Sequence, residues 1–271
     1  MPMFICVRCG TQYPPSERPP TSCPICEDER EYVNPNGQTW TTLEAMRKSY
    51  FAVFREHEKG LIGIGMVPHF AIGQRALLIA TDAGNVLWDC ISFIDEASIK
   101  IVRGLGGIGA IAISHPHYYG AMVEWSQAFD HAPIYLHAAD RQWIMRSDSA
   151  IVLWNEETKE IAPGVTLIRG GGHFDGGTML HWAEGADGHG ALLASDIATV
   201  GLDNYVSFMR SYPCLIPLDR SSIKHIAQAL EPWRFDRVYG GWFERGLIAS
   251  GGKAAVEYSV ARYLRAISQP P

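Results

Sequence analysis

The stretch Ile111–Gly120, reading IAISHPHYYG, constrains this chain most. An apolar, β-branched run (Ile111, Ala112, Ile113) stops at Ser114, and His115 and His117 follow at once. Such a run reads as a buried strand, and a buried strand that ends in two imidazoles is a common start for a metal site. In extended backbone, residues i and i+2 point to the same side, so His115 and His117 are expected to reach one ion together. Taken alone, a His-x-His is as readily a pair of surface histidines in a polar loop. The rest of the chain has to decide.

Two further polar residues leave apolar strands in the same way. His173 sits behind Gly170-Gly171-Gly172, which follow the strand-like run Val165–Arg169. Glycines let the backbone approach closely and place a side chain without steric cost. Asp196 follows Ala191–Ser195, so a carboxylate emerges from a buried strand, where it needs a partner or an ion. Three imidazoles and a carboxylate suit zinc, iron or manganese.

The first 38 residues read as a separate cysteine module. Cys6-Val-Arg-Cys9 and Cys23-Pro-Ile-Cys26 are two CxxC turns separated by 13 residues. Each turn aims two thiolates at one point, and two turns complete a tetrahedral S4 set for zinc or a single iron. Pro14, Pro15, Pro19 and Pro20 exclude a helix between them. A module this small has little core, so a metal is expected to supply most of its stability. The segment resembles a zinc ribbon and the rubredoxin-like knuckle in Cys6, Cys9-Gly10, Tyr13 and Cys23-Pro24-x-Cys26. Cys90 and Cys214 stand apart in apolar surroundings and read as buried thiols.

The remainder, residues 39–271, reads as one α/β domain. Thr41-Thr42-Leu43-Glu44 looks like a capping box, with Leu43, Met46, Tyr50, Val53 and Phe54 at helical spacing behind it. From Gly60 the pattern turns to strands, with Ala76–Thr81 and Val86–Cys90 flanking the hairpin turn Asp82–Asn85. Asp95 is expected to cap a helix reaching about Arg103. The run Gly104–Gly109 contains GLGGIG, but a strand follows it where a dinucleotide loop requires a helix. Helices are expected over 120–129, 138–146, 221–230 and 253–267, and strands over 134–137, 178–184 and 237–239. With 47% hydrophobic and 19% charged residues the chain can bury a sizeable core, and a net charge of -6 gives nucleic acid no footing. No apolar run spans a membrane and no signal peptide opens the chain, so a cytoplasmic protein acting on a small molecule is expected. Nothing decides between a monomer and a homo-oligomer.

The order and context of these residues resemble the metallo-β-lactamase superfamily over roughly residues 60–271. The resemblance implies an αββα sandwich with metal ligands in loops along one edge. His115 and His117 match the first half of the family's HxHxDH motif, His173 its third histidine, and Asp196 its bridging aspartate. Asp89, in Trp88-Asp89, falls where the family keeps a buried aspartate that supports the ligands. Tyr119 and Gly120 stand where HxHxDH has its Asp and second-metal His, and VYGGW (238–242) stands where the last His belongs. The ligands specific to a second metal are missing, so one active-site ion is the natural expectation, in addition to one in the cysteine module. Zinc is expected at both sites, with iron open at either.

The chemistry this implies is hydrolysis of an ester, thioester, lactone or amide by metal-bound water. Asp196 and Tyr119 are the catalytic candidates: Asp196 binds the metal or holds the water, and Tyr119 donates to a developing oxyanion. Tyr118 and His69 are candidates for lining the pocket. Two other classes stay open. His115, His173 and Asp196 could form the two-His-one-carboxylate face of a non-haem iron oxygenase, as in the persulfide dioxygenases of the same superfamily. Alternatively, the chain is a non-catalytic metal-binding protein.

Overall fold

In a computed structural model, residues 1–244 and 246–268 are described, so the last three residues of the 39–271 span lie outside the described residues. The chain divides into two compact units, Met1–Trp154 and Asn155–Pro271.

The first unit opens with the cysteine module. Strands β1 (Met3–Cys6), β2 (Gln12–Pro15) and β3 (Trp40–Thr42) form a small antiparallel sheet in the order β2-β1-β3, with the short helix α1 (Pro24–Glu27) carrying the second CxxC. The next helix, α2 (Leu43–Met46), is capped by Thr42 rather than Thr41, the Thr42 hydroxyl accepting from Ala45 N at 3.2 Å. It is a single turn, and the expected helical continuation is instead strand β4 (Phe51–Glu58). The sequence FAVFREHE is β-branched and aromatic, and pairing with β5 (Leu61–Val67) overrides the helical spacing.

Strands β6 (Ala76–Ile79) and β7 (Val86–Trp88) form the expected hairpin, and α3 (Glu96–Gly104) starts at an Asp95 capping box. Then come β8 (Ala110–Ala112), α4 (Met122–Ala128), β9 (Ile134–His137) and β10 (Ile151–Trp154). The seven-stranded order is β10-β9-β8-β7-β6-β5-β4, antiparallel from β4 to β7 and parallel from β7 to β10. The segment expected as a helix over 138–146 is a 3-10 turn, Ala138–Trp143. The glycine-rich run joins α3 to β8, the reverse of a dinucleotide loop. The core under this sheet includes Leu87, Ile111, Ile113, Trp125, Ile134 and Leu136.

The second unit has strands β11 (Thr158–Ala162), β12 (Val165–Arg169) and β13 (Thr178–Trp182), a short turn of helix α5 (Gly185–Gly188), and β14 (Ala191–Leu193). Two small hairpins come next: β15 (Thr199–Val200) with β16 (Val206–Ser207), and β17 (Met209–Ser211) with β18 (Ile216–Pro217). Helix α6 (Arg220–Leu230), strands β19 (Arg237–Tyr239) and β20 (Leu247–Ile248), and α7 (Gly252–Ala266) complete it. The sheet order is β11-β12-β13-β14-β19-β20, with only β14 and β19 parallel. Ile223, Ile226 and Leu230 of α6 and Val256 of α7 pack with Ile168, Leu192 and Val238 of this sheet. Cys90 is buried as expected, but Cys214 is exposed: it lies in the tip between β17 and β18, where short strands leave little to cover it. No helix among the described residues is long and apolar enough to cross a membrane.

Candidate metal centre

The cysteine module gathers all four thiols. Cys6, Cys9, Cys23 and Cys26 are each no more than 1% exposed. Sulfur–sulfur separations of 3.5 Å (Cys6–Cys26) and 3.6 Å (Cys9–Cys23) are far too long for disulfides, and suit sulfurs at tetrahedral corners around one ion about 2.3 Å from each. Cys9 N–H and the Gln38 amide both point at Cys6 Sγ, at 3.5 and 3.0 Å. Hydrogen bonds from the neighbouring thiols, Cys23 first, hold Cys6 well below the ordinary thiol range, while those from Cys23 and Cys6 push Cys26 up.

In the same unit, β8 delivers the histidine pair. Asp89 lies at a left-handed φ of 62°, buried, and its carboxylate accepts from Ser114 N at 2.8 Å. It thus fixes the backbone just before His115. His115 is extended, but Pro116 starts a 3-10 turn, Pro116–Tyr118, so the pair is not presented by extended backbone as the i, i+2 argument assumes. Proline's fixed φ suits the first position of such a turn. The turn still brings the rings together, with centroids 5.2 Å apart and planes at 77°. His115 Nδ1 lies 2.9 Å from Ser114 Oγ, which fixes the orientation of the ring. Burial, helped by the Arg30 charge, pushes the His115 pKa down to about 3 and keeps the imidazole neutral, as ligation requires.

Tyr118 is buried with its ring edge against His115, centroids 4.9 Å apart. Tyr119 is buried too, and burial together with the Asp140 carboxylate holds its phenol well above the usual range. It is a neutral donor rather than a phenolate. His69 is exposed, and its ring lies across Gly73 in the turn after Pro68.

In the second unit, His173 ends a loop closed on itself: Gly170 N and Gly171 N both donate to Gly177 O at 2.8 Å. Gly172 has φ +80°, and a Cβ there would lie 2.8 Å from Leu218, so glycine is required. His173 Nδ1 is 3.1 Å from Met209 O, and a ring nitrogen against a carbonyl must donate, leaving Nε2 as the acceptor nitrogen. Asp196 follows β14, with Ser195 at φ 44° turning the chain out of the strand. Thr199 Oγ1 is 3.3 Å from its carboxylate, and the Tyr212 hydroxyl donates to its backbone carbonyl at 2.9 Å. The Tyr212 ring also tilts against His173 at 5.6 Å. Ser114, Met209 and Tyr212 are not among the residues expected from the sequence. Met209 acts through a main-chain carbonyl, which has no residue signature, and nothing around Tyr212 in RSYPC marks it.

Each of His115, His117, His173 and Asp196 is buried and offers one ligand atom; in the first unit those of His115 and His117 lie within 4.8 Å of each other, and in the second unit so do those of His173 and Asp196.

Comparison with solved structures places this arrangement in a known fold. The metallo-β-lactamase DIM-1 matches 79% of this chain and 98% of its own, with a TM-score of 0.60 at 12% identity. FIM-1 from Pseudomonas aeruginosa, in its mono-zinc form, matches 80% of this chain and 97% of its own, with a TM-score of 0.57 at 11% identity. The chain is a metallo-β-lactamase-fold protein with an N-terminal cysteine knuckle. It is also 46% identical to the Bacillus subtilis (strain 168) protein YmaE, described as an uncharacterized protein, over 99% of this chain and 98% of YmaE. It belongs to the same family as YmaE. No protein-family model matches the sequence.

Proposed function

We propose that this YmaE-family protein is a metal-dependent hydrolase working through one ion held by His115, His117, His173 and Asp196. The observation that carries the reading is a pair of buried donors in each unit, His115 with His117 and His173 with Asp196, each pair within 4.8 Å, and two positions, Tyr119 and Gly120, that add no ligand for a second ion. The donor chemistry fits: two of the imidazoles are oriented through Nδ1, by Ser114 and Met209, and one carboxylate offsets the charge of a divalent ion. A fold neighbour crystallised in a mono-zinc form supports a single ion as sufficient for the architecture.

When bound, such an ion supplies a nucleophilic water of pKa ~7 and polarises a carbonyl. The chain's own residues do the rest. Asp196 is held at its main-chain carbonyl by Tyr212 and at its carboxylate by Thr199, which would orient that carboxylate for holding an ion. Tyr119, a neutral phenol, can donate to an oxyanion without itself ionising. The substrate class is a small ester, thioester, lactone or amide. The cysteine module takes a second, structural ion, and we assign zinc to both sites. Six reduced cysteines suit a reducing compartment, and we place the protein in the cytoplasm.

Elemental analysis of the purified protein tests this. The expected result is two metals per chain, one lost in His115→Ala and the other in Cys23→Ser. Three metals, or no metal-dependent turnover across a panel of esters, thioesters, lactones and amides, would overturn it.

A further inference from the structure

The cysteine module is docked at three points, one on the loop that carries the histidine pair and two on segments beside it. Gln12 N donates to Gly120 O at 3.2 Å, three residues beyond His117. Ser92 Oγ donates to Gly10 O at 2.7 Å, which ties the module to the 90–92 segment. Gln12 Oε1 accepts from Arg146, whose guanidinium also pairs with Glu124 of α4 at 2.7 Å. The 90–92 segment in turn grips the histidine loop: Cys90 N donates to Tyr118 O and Ala121 N to Ile91 O, both at 3.2 Å. Gly120 has φ +45°, and a Cβ there would sit 2.8 Å from Ile91 O and 3.1 Å from Cys90 O. At the position where the fold's two-metal motif has a ligating histidine, this chain has a residue with no side chain and a carbonyl bonded by the module.

The docking residues lie within the knuckle's own metal turn. Gly10 follows Cys9 directly and donates to Cys6 O at 2.8 Å, and Cys6 N donates to Thr11 O at 3.0 Å. Any ion on the four sulfurs therefore fixes the backbone 6–12 that meets Ser92 and Gly120. A module with almost no core of its own relies on that ion to keep its shape.

We propose that the metal-loaded cysteine module is a positioning clamp for the His115–Gly120 loop, standing in for the second active-site ion as the element that pins this loop. Occupancy of the S4 site then sets the affinity of the histidine site. The affinity part rests on the reading of His115 and His117 as ligands, but the pinning of the loop does not.

The test uses the full chain. Amide hydrogen exchange is followed by mass spectrometry in the wild type, in Cys23→Ser, and in the double variant Ser92→Ala/Gln12→Leu, which keeps all four cysteines. Zinc affinity of the histidine site is measured in parallel by chelator competition. Both variants are expected to exchange at least about tenfold faster over 113–121, the loss of one or two buried hydrogen bonds, with peptides over 165–182 unchanged. Zinc affinity at the histidine site is expected to fall by about the same factor. Should Cys23→Ser not fold, the double variant carries the test. Unchanged exchange over 113–121 in a folded variant that has lost either the knuckle metal or the Ser92 and Gln12 side-chain bonds overturns the clamp, the main-chain bond from Gln12 N to Gly120 O being kept in both. If exchange rises but no zinc binds at the histidines even in the wild type, the clamp stands and the metal-site reading falls instead.

Discussion

Replacing Tyr212 by phenylalanine removes one oxygen and keeps the ring. That oxygen donates to Asp196 O at 2.9 Å and lies 3.3 Å from Ser207 O. The phenol is partly buried, its pKa held well above the usual range by desolvation and the Asp196 charge, so it is a neutral donor at every working pH. A neutral buried hydrogen bond contributes about 1 kcal/mol, and a buried carbonyl that loses its donor costs about 1–3 kcal/mol. Since a carbonyl oxygen has a second lone pair to satisfy, Tyr212→Phe should cost about 1–2 kcal/mol. With a urea slope of about 2–3 kcal/mol per molar, the unfolding midpoint of the metal-free protein should drop by about 0.5 M.

The same substitution loosens the carboxylate end of the metal site. Asp196 is held at its backbone by Tyr212, and His173 leans on the Tyr212 ring, which phenylalanine retains. Zinc affinity should therefore fall by about tenfold in Tyr212→Phe, as for other groups that orient ligands from behind. Tyr212→Leu, which also removes the ring, should fall further. A midpoint shift of less than about 0.1 M together with unchanged zinc affinity would refute the argument that the 209–217 hairpin orients these two ligands.

Two smaller predictions rest on burial. In the native metal-loaded protein a maleimide should label one cysteine, Cys214, since Cys90 is buried with its thiol pushed up and the other four are buried in the knuckle; chelation under denaturing conditions should expose all six. Mass spectrometry of the intact protein reads the count, and rapid native labelling of Cys90 would contradict the fold. His57 faces Arg75 at 2.7 Å, and burial, then Arg75 and Arg55, lower its pKa to about 4. Below pH ~6.5 the unfolded chain takes up a proton that the native ring refuses, so stability is full above that value and falls as the pH drops towards 4. The ring is half-exposed, so the loss is about 1 kcal/mol after screening, and His57→Gln should flatten the acid limb by that amount in urea titrations at pH 7 and pH 4.5.

The candidate ligands are legible in the sequence because each follows an apolar strand closely and carries a donor suited to a metal. Their geometry is less legible. His115 and His117 meet through a proline-started 3-10 turn rather than along a strand, and spacing alone does not distinguish the two. Leu43 to Phe54 reads as helical because three- and four-residue spacings also occur by chance in a strand flanked by a helical turn. Pairing between Phe51–Glu58 and Leu61–Val67 is a non-local fact that local periodicity does not contain. Cys214 reads as buried because its neighbours Leu215 and Ile216 are apolar, yet Leu215 is itself 77% exposed at a hairpin tip. Met209 cannot be read at all, because it contributes only a carbonyl.

The departures from the two-metal motif also acquire a physical meaning. Tyr119 is buried beside Asp140, and both burial and that charge oppose its ionisation. Gly120 cannot simply be turned back into a histidine: with φ +45° its Cβ would collide with the Ile91 carbonyl at 2.8 Å and displace the contact with Gln12 N. Restoring the second-metal histidine by Gly120→His would therefore break the loop before it built a site. The backbone around position 120 is shaped for close approach of the cysteine module and the 90–92 segment.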